Sequence, residues 1–157
     1  MRDDYGRWQI TNQTLKGTSM KFKTFEEMPV WQDSRTLTNL TYTLTLGNEF
    51  SRDFGLKDQI RRSAVSIMSN ISEGYERSTK KEFALFLGYA KGSPGELRSQ
   101  LYVAVDQKYI STEQFQAAHK LASDVSSQLA KFAAYLRAAR AIKLTSIVTS
   151  CLILFAI

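Results

Sequence analysis

"LKDQIRRSAVSIMSNISEGYER", residues 56–77, is the stretch whose reading decides the fold. Leu56, Ile60, Ala64, Ile67 and Ile71 recur at fours and threes, which puts them on one face of a helix at about 100° per residue. Arg62, Ser66, Ser69 and Glu73 fall roughly opposite. Arg61, Val65, Met68 and Ser72 fall on a flank that is partly apolar. This helix therefore has a core face and a second surface able to meet a neighbour. Serine recurs every third residue, at Ser63, Ser66, Ser69 and Ser72. Such small side chains let another helix approach closely. Gly74 is placed to end the helix.

Upstream, Val30, Leu37 and Leu44 repeat at seven with Leu40 between them, which predicts a first helix ending near Gly47-Asn48. Thr24 and Glu27 have capping-box spacing, and Pro29 suits a first turn. Residues 48–55 read as a loop. Downstream, Phe83, Ala90, Leu97 and Ala104 repeat at seven, and Leu87 and Leu101 share their face. "KGSPGE", residues 91–96, interrupts this third helix. The heptad keeps its phase across the interruption, so the reading is a single helix kinked near Pro94. Ser111 and Gln114 have capping-box spacing ahead of a fourth helix. In it Ala118, Leu121, Val125, Leu129, Phe132 and Leu136 recur to about Arg140. Four helices joined by short loops predict an all-α, up-down-up-down antiparallel four-helix bundle.

The bundle is expected over residues 20–140, preceded by a poorly ordered leader, residues 1–19, and followed by an apolar tail, residues 141–157. Residues 144–157 carry no charge. At 1.5 Å each they reach about 21 Å, short of a bilayer core of about 30 Å, so a membrane partner is disfavoured. The first twenty residues hold no apolar run of the kind a secretory signal needs, and a cytoplasmic location is expected. The single cysteine, Cys151, excludes an internal disulfide, and the single histidine, His119, argues against a histidine metal site. No cofactor and no metal is expected.

Candidate chemistry is sparse. The serines lack a nucleophile elbow, and His119 lies on another helix. Glu73, three turns from Arg62, lacks a second acid and reads as a solvated carboxylate. Gly92-Ser93-Pro94-Gly95 lacks the lysine-serine ending of a phosphate loop. The protein is therefore read as non-enzymatic. The formal charge is +6, and Arg61, Arg62, Arg77, Lys80 and Lys81 cluster on the second helix and the turn after it. Spaced cations of this kind suit phosphate contacts with RNA or DNA. Val65, Met68 and Ser72 are the candidate oligomer interface. The competing reading is an oligomeric protein-interaction scaffold with no nucleic-acid role.

Three motifs occur in order: "TFEEMPVWQDS", "GLKDQIRRSAVSIMSNISEGYERSTKKEF" and "FLGYAKGSPGELRSQLYVAVDQKYIS". Together they resemble the four-helix-bundle proteins of the 23S ribosomal RNA intervening-sequence family, over about residues 23–140. Asn70, Glu73 and Gly74 match the family's Asn-x-x-Glu-Gly pattern. Two departures stand out. Met68 replaces a usual proline, and Gln107-Lys108-Tyr109 replaces a common Leu-Gly-Tyr, which is expected to alter only a loop. The resemblance implies a bacterial cytosolic protein that assembles into a homo-oligomeric ring, a pentamer. It also implies an accessory role in nucleic-acid binding, with a reverse transcriptase as a candidate partner, and no established enzymatic activity.

Overall fold

The structure, a computed structural model, describes residues 22–154, with side chains to residue 138 apart from Asn48. The proposed leader, residues 1–19, lies outside the described residues. A 3-10 turn, Phe25–Glu27, leads into α1 (Pro29–Leu44), α2 (Asn48–Arg52), α3 (Phe54–Glu76), α4 (Lys80–Asp106) and α5 (Thr112–Leu154). All the regular structure among the described residues is helical. The four long helices form an antiparallel bundle in which α1 packs against α3 and α5, and α4 packs against the same two. The heptad positions read from the sequence fill the middle. Leu37, Ile60, Ile67, Leu87, Leu97 and Leu129 are fully buried.

Local chemistry sets most of the ends. Pro29 opens α1, where its missing N–H is no loss. Asp53 caps α3, accepting from the Leu56 N–H at 2.9 Å, and Thr79 caps α4, accepting from the Glu82 N–H at 3.1 Å. The capping box at α5 is complete. The Ser111 hydroxyl accepts from the Gln114 N–H at 3.2 Å, and the Gln114 side chain accepts from the Ser111 N–H at 2.8 Å. The hydroxyls of Ser34 and Thr41, buried in α1, donate to carbonyls four residues back at 2.6 and 2.8 Å. Thr38 also reaches the Ala64 carbonyl of α3 at 3.2 Å. These bonds explain how a threonine-rich segment persists as a buried helix.

Three local expectations change. Residues 48–55 are not a plain loop, because α2 forms there. Its Phe50 is wholly buried and stacks on Tyr109 at 5.3 Å. The Tyr109 hydroxyl donates to Asp53 at 3.4 Å. Burial, then the nearby Asp53 charge, pushes its pKa above the usual tyrosine value. Gly74 does not end α3, which continues through Glu76. Finally, α5 runs past Arg140 to Leu154. Pro94 lies inside α4, which is one helix on both sides of it.

Candidate nucleic-acid interface

The α3–α4 hairpin carries almost every residue singled out in the sequence. Its two helices meet along a seam of small polar side chains. The Ser93 hydroxyl of α4 donates to the Ser66 hydroxyl of α3 at 3.0 Å. Ser63 donates to the Glu96 carboxylate at 3.3 Å. Asn70 donates back to the Ser66 carbonyl at 2.8 Å and to its hydroxyl at 3.1 Å. Ser63 and Ser93 are buried. Two of the four serines, Ser63 and Ser66, thus lie where α4 comes close, in keeping with small side chains that let another helix approach. Ser72 bonds the Met68 and Ser69 carbonyls of its own helix.

The two helices also come close together at Gly74. A Cβ placed there would stand 2.6 Å from Phe86 Cβ and 2.9 Å from Phe83 Cδ2. The glycine of the Asn-x-x-Glu-Gly pattern is therefore a packing residue, which lets α4 cross α3 just beyond the turn. Glu73, beside it, is half-exposed and forms an ion pair with Arg77 one turn on. His119 packs among Tyr102 and Phe115 on the α4–α5 side, with ring centroids 5.7 and 5.3 Å away. None of the hydrogen bonds of the four serines involves it. No group of three metal-ligating side chains occurs among the described residues.

The five candidate cations fall into two sets. Arg62 lies fifteen and Arg61 sixteen residues before Arg77, about 22–24 Å away along α3. Arg61 is engaged: its guanidinium lies over the Tyr42 ring at 4.6 Å and donates to the Thr45 hydroxyl at 2.8 Å. Arg62 is exposed beside it. At the other end Arg77 is held by Glu73 and by the Phe86 ring at 5.1 Å. Lys80 and Lys81 are exposed in the first turn of α4. They line a cleft of about 720 Å³ whose other walls include Leu85, Leu136 and Arg137. Arg137 was absent from the sequence reading. Fifty-six residues separate it from Lys81, and only the antiparallel pairing of α4 with α5 brings them together.

Val65 lies on the α1 side of α3. Val65 is 40% exposed and shares a shallow groove with Tyr42, which is 42% exposed. Met68 is half-buried.

The family model for the 23S rRNA-intervening sequence protein matches residues 26–131, the span of the bundle from the first turn well into α5. A crystal structure of a protein of unknown function from the S23 ribosomal protein family of Bacteroides thetaiotaomicron has a similar fold. Its TM-score is 0.61 at 21% identity, and the match covers 66% of this chain and 97% of that one. No curated protein matches. With two thirds of its length inside the family model and the bundle repeated in a solved relative, the chain belongs to the 23S rRNA-intervening sequence protein family.

Proposed function

We propose that the protein is a non-enzymatic, self-assembling helical bundle that holds nucleic acid by its phosphates. One observation supports this reading above the others. Lys80, Lys81 and Arg137, drawn from two helices, line one cleft, and the ion pairs described in the structure involve none of them. Arg62 adds a further exposed cation at a distance along α3. Arg61 and Arg77 enter the same charge field while their side chains are occupied locally. Contacts of this type neutralise backbone charge without reading bases, so binding is sequence-tolerant and salt-sensitive. Assembly into a ring, a pentamer as the family resemblance implies, would repeat the patch and multiply weak contacts. Val65, beside Tyr42, and Met68 are its proposed contact surface. A reverse transcriptase is a candidate partner on the same resemblance. The exposed Tyr42–Val65 groove also favours a second reading, a scaffold that docks protein alone.

The test is fluorescence anisotropy with mixed-sequence RNA and DNA across a salt series. The triple variant Arg62→Gln, Lys80→Gln, Lys81→Gln should lose about tenfold in affinity for every sequence and show a flatter salt slope. Absence of binding by the wild-type oligomer at low salt would leave the scaffold reading.

A further inference from the structure

The outer face of α4 has no partner among the described residues. The helix packs against α3 and α5, with α1 across the bundle from it. On the side turned away from them Leu85, Gly88, Gly92, Gly95, Ser99 and Val103 recur at threes and fours, in one line along the helix. Leu85 is 50% and Val103 45% exposed, and Tyr89 stands exposed beside Leu85. Between these large residues the surface is low. A Cβ built on Gly92 or Gly95 meets nothing within 4 Å, and one built on Gly88 meets only Arg137, at 4.0 Å. Packing inside the chain therefore does not require these glycines, as it requires Gly74, yet each weakens the helix relative to alanine. The two ends of the line are charged against the helix's own field. Lys81 lies in the first turn, four residues before Leu85, where the helix dipole disfavours a cation. Asp106 ends the helix, three residues after Val103, where the dipole disfavours an anion. Both are exposed, and the ion pairs described in the structure involve neither.

We infer that this face pairs with the same face of a second copy of the chain, antiparallel, about a two-fold axis near Ser93 and Pro94. In that arrangement the line is self-complementary. Gly92 crosses Gly95, Gly88 meets Ser99, Leu85 comes beside Val103, and Lys81 meets Asp106, each contact occurring twice. The glycines let the two helix axes approach to the short end of the usual range of about 8–10 Å, and the larger side chains close over the contact on either side. Charge decides the direction. A parallel pairing would set Lys81 against Lys81 and Asp106 against Asp106. The antiparallel one joins opposite charges, and it brings Lys81 to the carboxyl end of the second copy's α4 and Asp106 to the amino end, where each meets the field that suits it. Such complementarity fixes orientation and register more than affinity. It also selects a second copy over an unrelated protein, since one face supplies both halves of every contact. The inference rests neither on the nucleic-acid reading nor on the ring. The proposed ring contact at Val65 lies on the α1 side, so one copy can make both contacts.

The experiment is sedimentation equilibrium of the full chain over a concentration series, at low salt and without nucleic acid. Val65→Lys serves as the background, so that the ring contact is absent and the two assembly surfaces are read separately. This chain should form dimers. Adding Gly92→Gln and Gly95→Gln should weaken dimerisation by about tenfold or more, because side chains now stand where the backbones meet. The same pair should raise the melting temperature, since glutamine is the better helix former, a sign opposite to that of a glycine needed for the fold. Lys81→Asp alone and Asp106→Lys alone should each weaken dimerisation about fivefold, and the two together should restore it to within about twofold. A chain that stays monomeric at high concentration would overturn the proposal. So would association unchanged by the glycine pair, or a double charge exchange that fails to restore what each single exchange removed.

Discussion

Two single positions carry consequences out of proportion to their size. Gly74 sits inside a helix, where glycine is normally unfavourable by about 1 kcal/mol relative to alanine. Here the relation reverses, because a methyl group would meet Phe86 Cβ at 2.6 Å. Gly74→Ala should lower stability by about 1–3 kcal/mol, read as a fall in the urea midpoint with an unchanged slope. Lys108 presents the opposite case. The end of α4 closes in a Schellman motif: the Lys108 N–H bonds the Val105 carbonyl at 3.0 Å and the Tyr109 N–H bonds the Ala104 carbonyl at 2.9 Å. That motif requires a left-handed residue, and Lys108 supplies it at φ 60°. The exchange of the common glycine for lysine was expected to alter only a loop. It places a side chain where glycine is the unstrained choice. Lys108→Gly should raise stability by about 0.5–1 kcal/mol in thermal unfolding, the residual strain outweighing glycine's greater freedom in the unfolded chain.

At the scale of elements, the hairpin of α3 and α4 depends on small polar contacts as much as on the apolar core. Ser93→Val would remove the donor to Ser66 and add bulk to a buried position. It should cost about 1–3 kcal/mol, more than the same change at exposed Ser99, and urea titration of the pair would show the difference. The four long helices were legible because burial repeats along each of them at threes and fours. That rhythm survives the threonines of α1 and the proline of α4, since burial of a face outweighs propensity. What was not legible lacked a rhythm. In α2 one residue, Phe50, provides the anchor, and five residues hold too few turns to show a period. Gly74 reads as a stop signal in sequence because close approach of a partner helix is a tertiary fact. The cation cleft escaped for the same reason. Lys80 and Lys81 were visible as neighbours in sequence, whereas Arg137 becomes their neighbour only after the bundle closes.

For the whole molecule, the side of the bundle between α1 and α3 is the surface to test for assembly. Val65→Lys replaces an exposed valine, so the monomer's melting temperature should change little, while a lysine left unpaired inside an interface should weaken association by tenfold or more. Light scattering over a concentration series separates the two effects. A wild type that stays monomeric at high concentration would remove the ring and, with it, the multivalent argument for nucleic acid. The bundle also brings residues far apart in the chain to one pole. The Phe22 ring meets Phe132 at 6.5 Å, and the Phe22 carbonyl accepts from the Tyr75 hydroxyl at 2.9 Å. The turn between α4 and α5 lies at the opposite pole, beside α2. A circular permutant is therefore within reach: a short flexible linker from residue 138 to residue 22, with new termini opened near Ser111. In that rearranged chain α5 would be the first helix and α4 the last, every core pairing would be retained, and the contacts of α1 with α5 would change from the most distant in sequence to the most local.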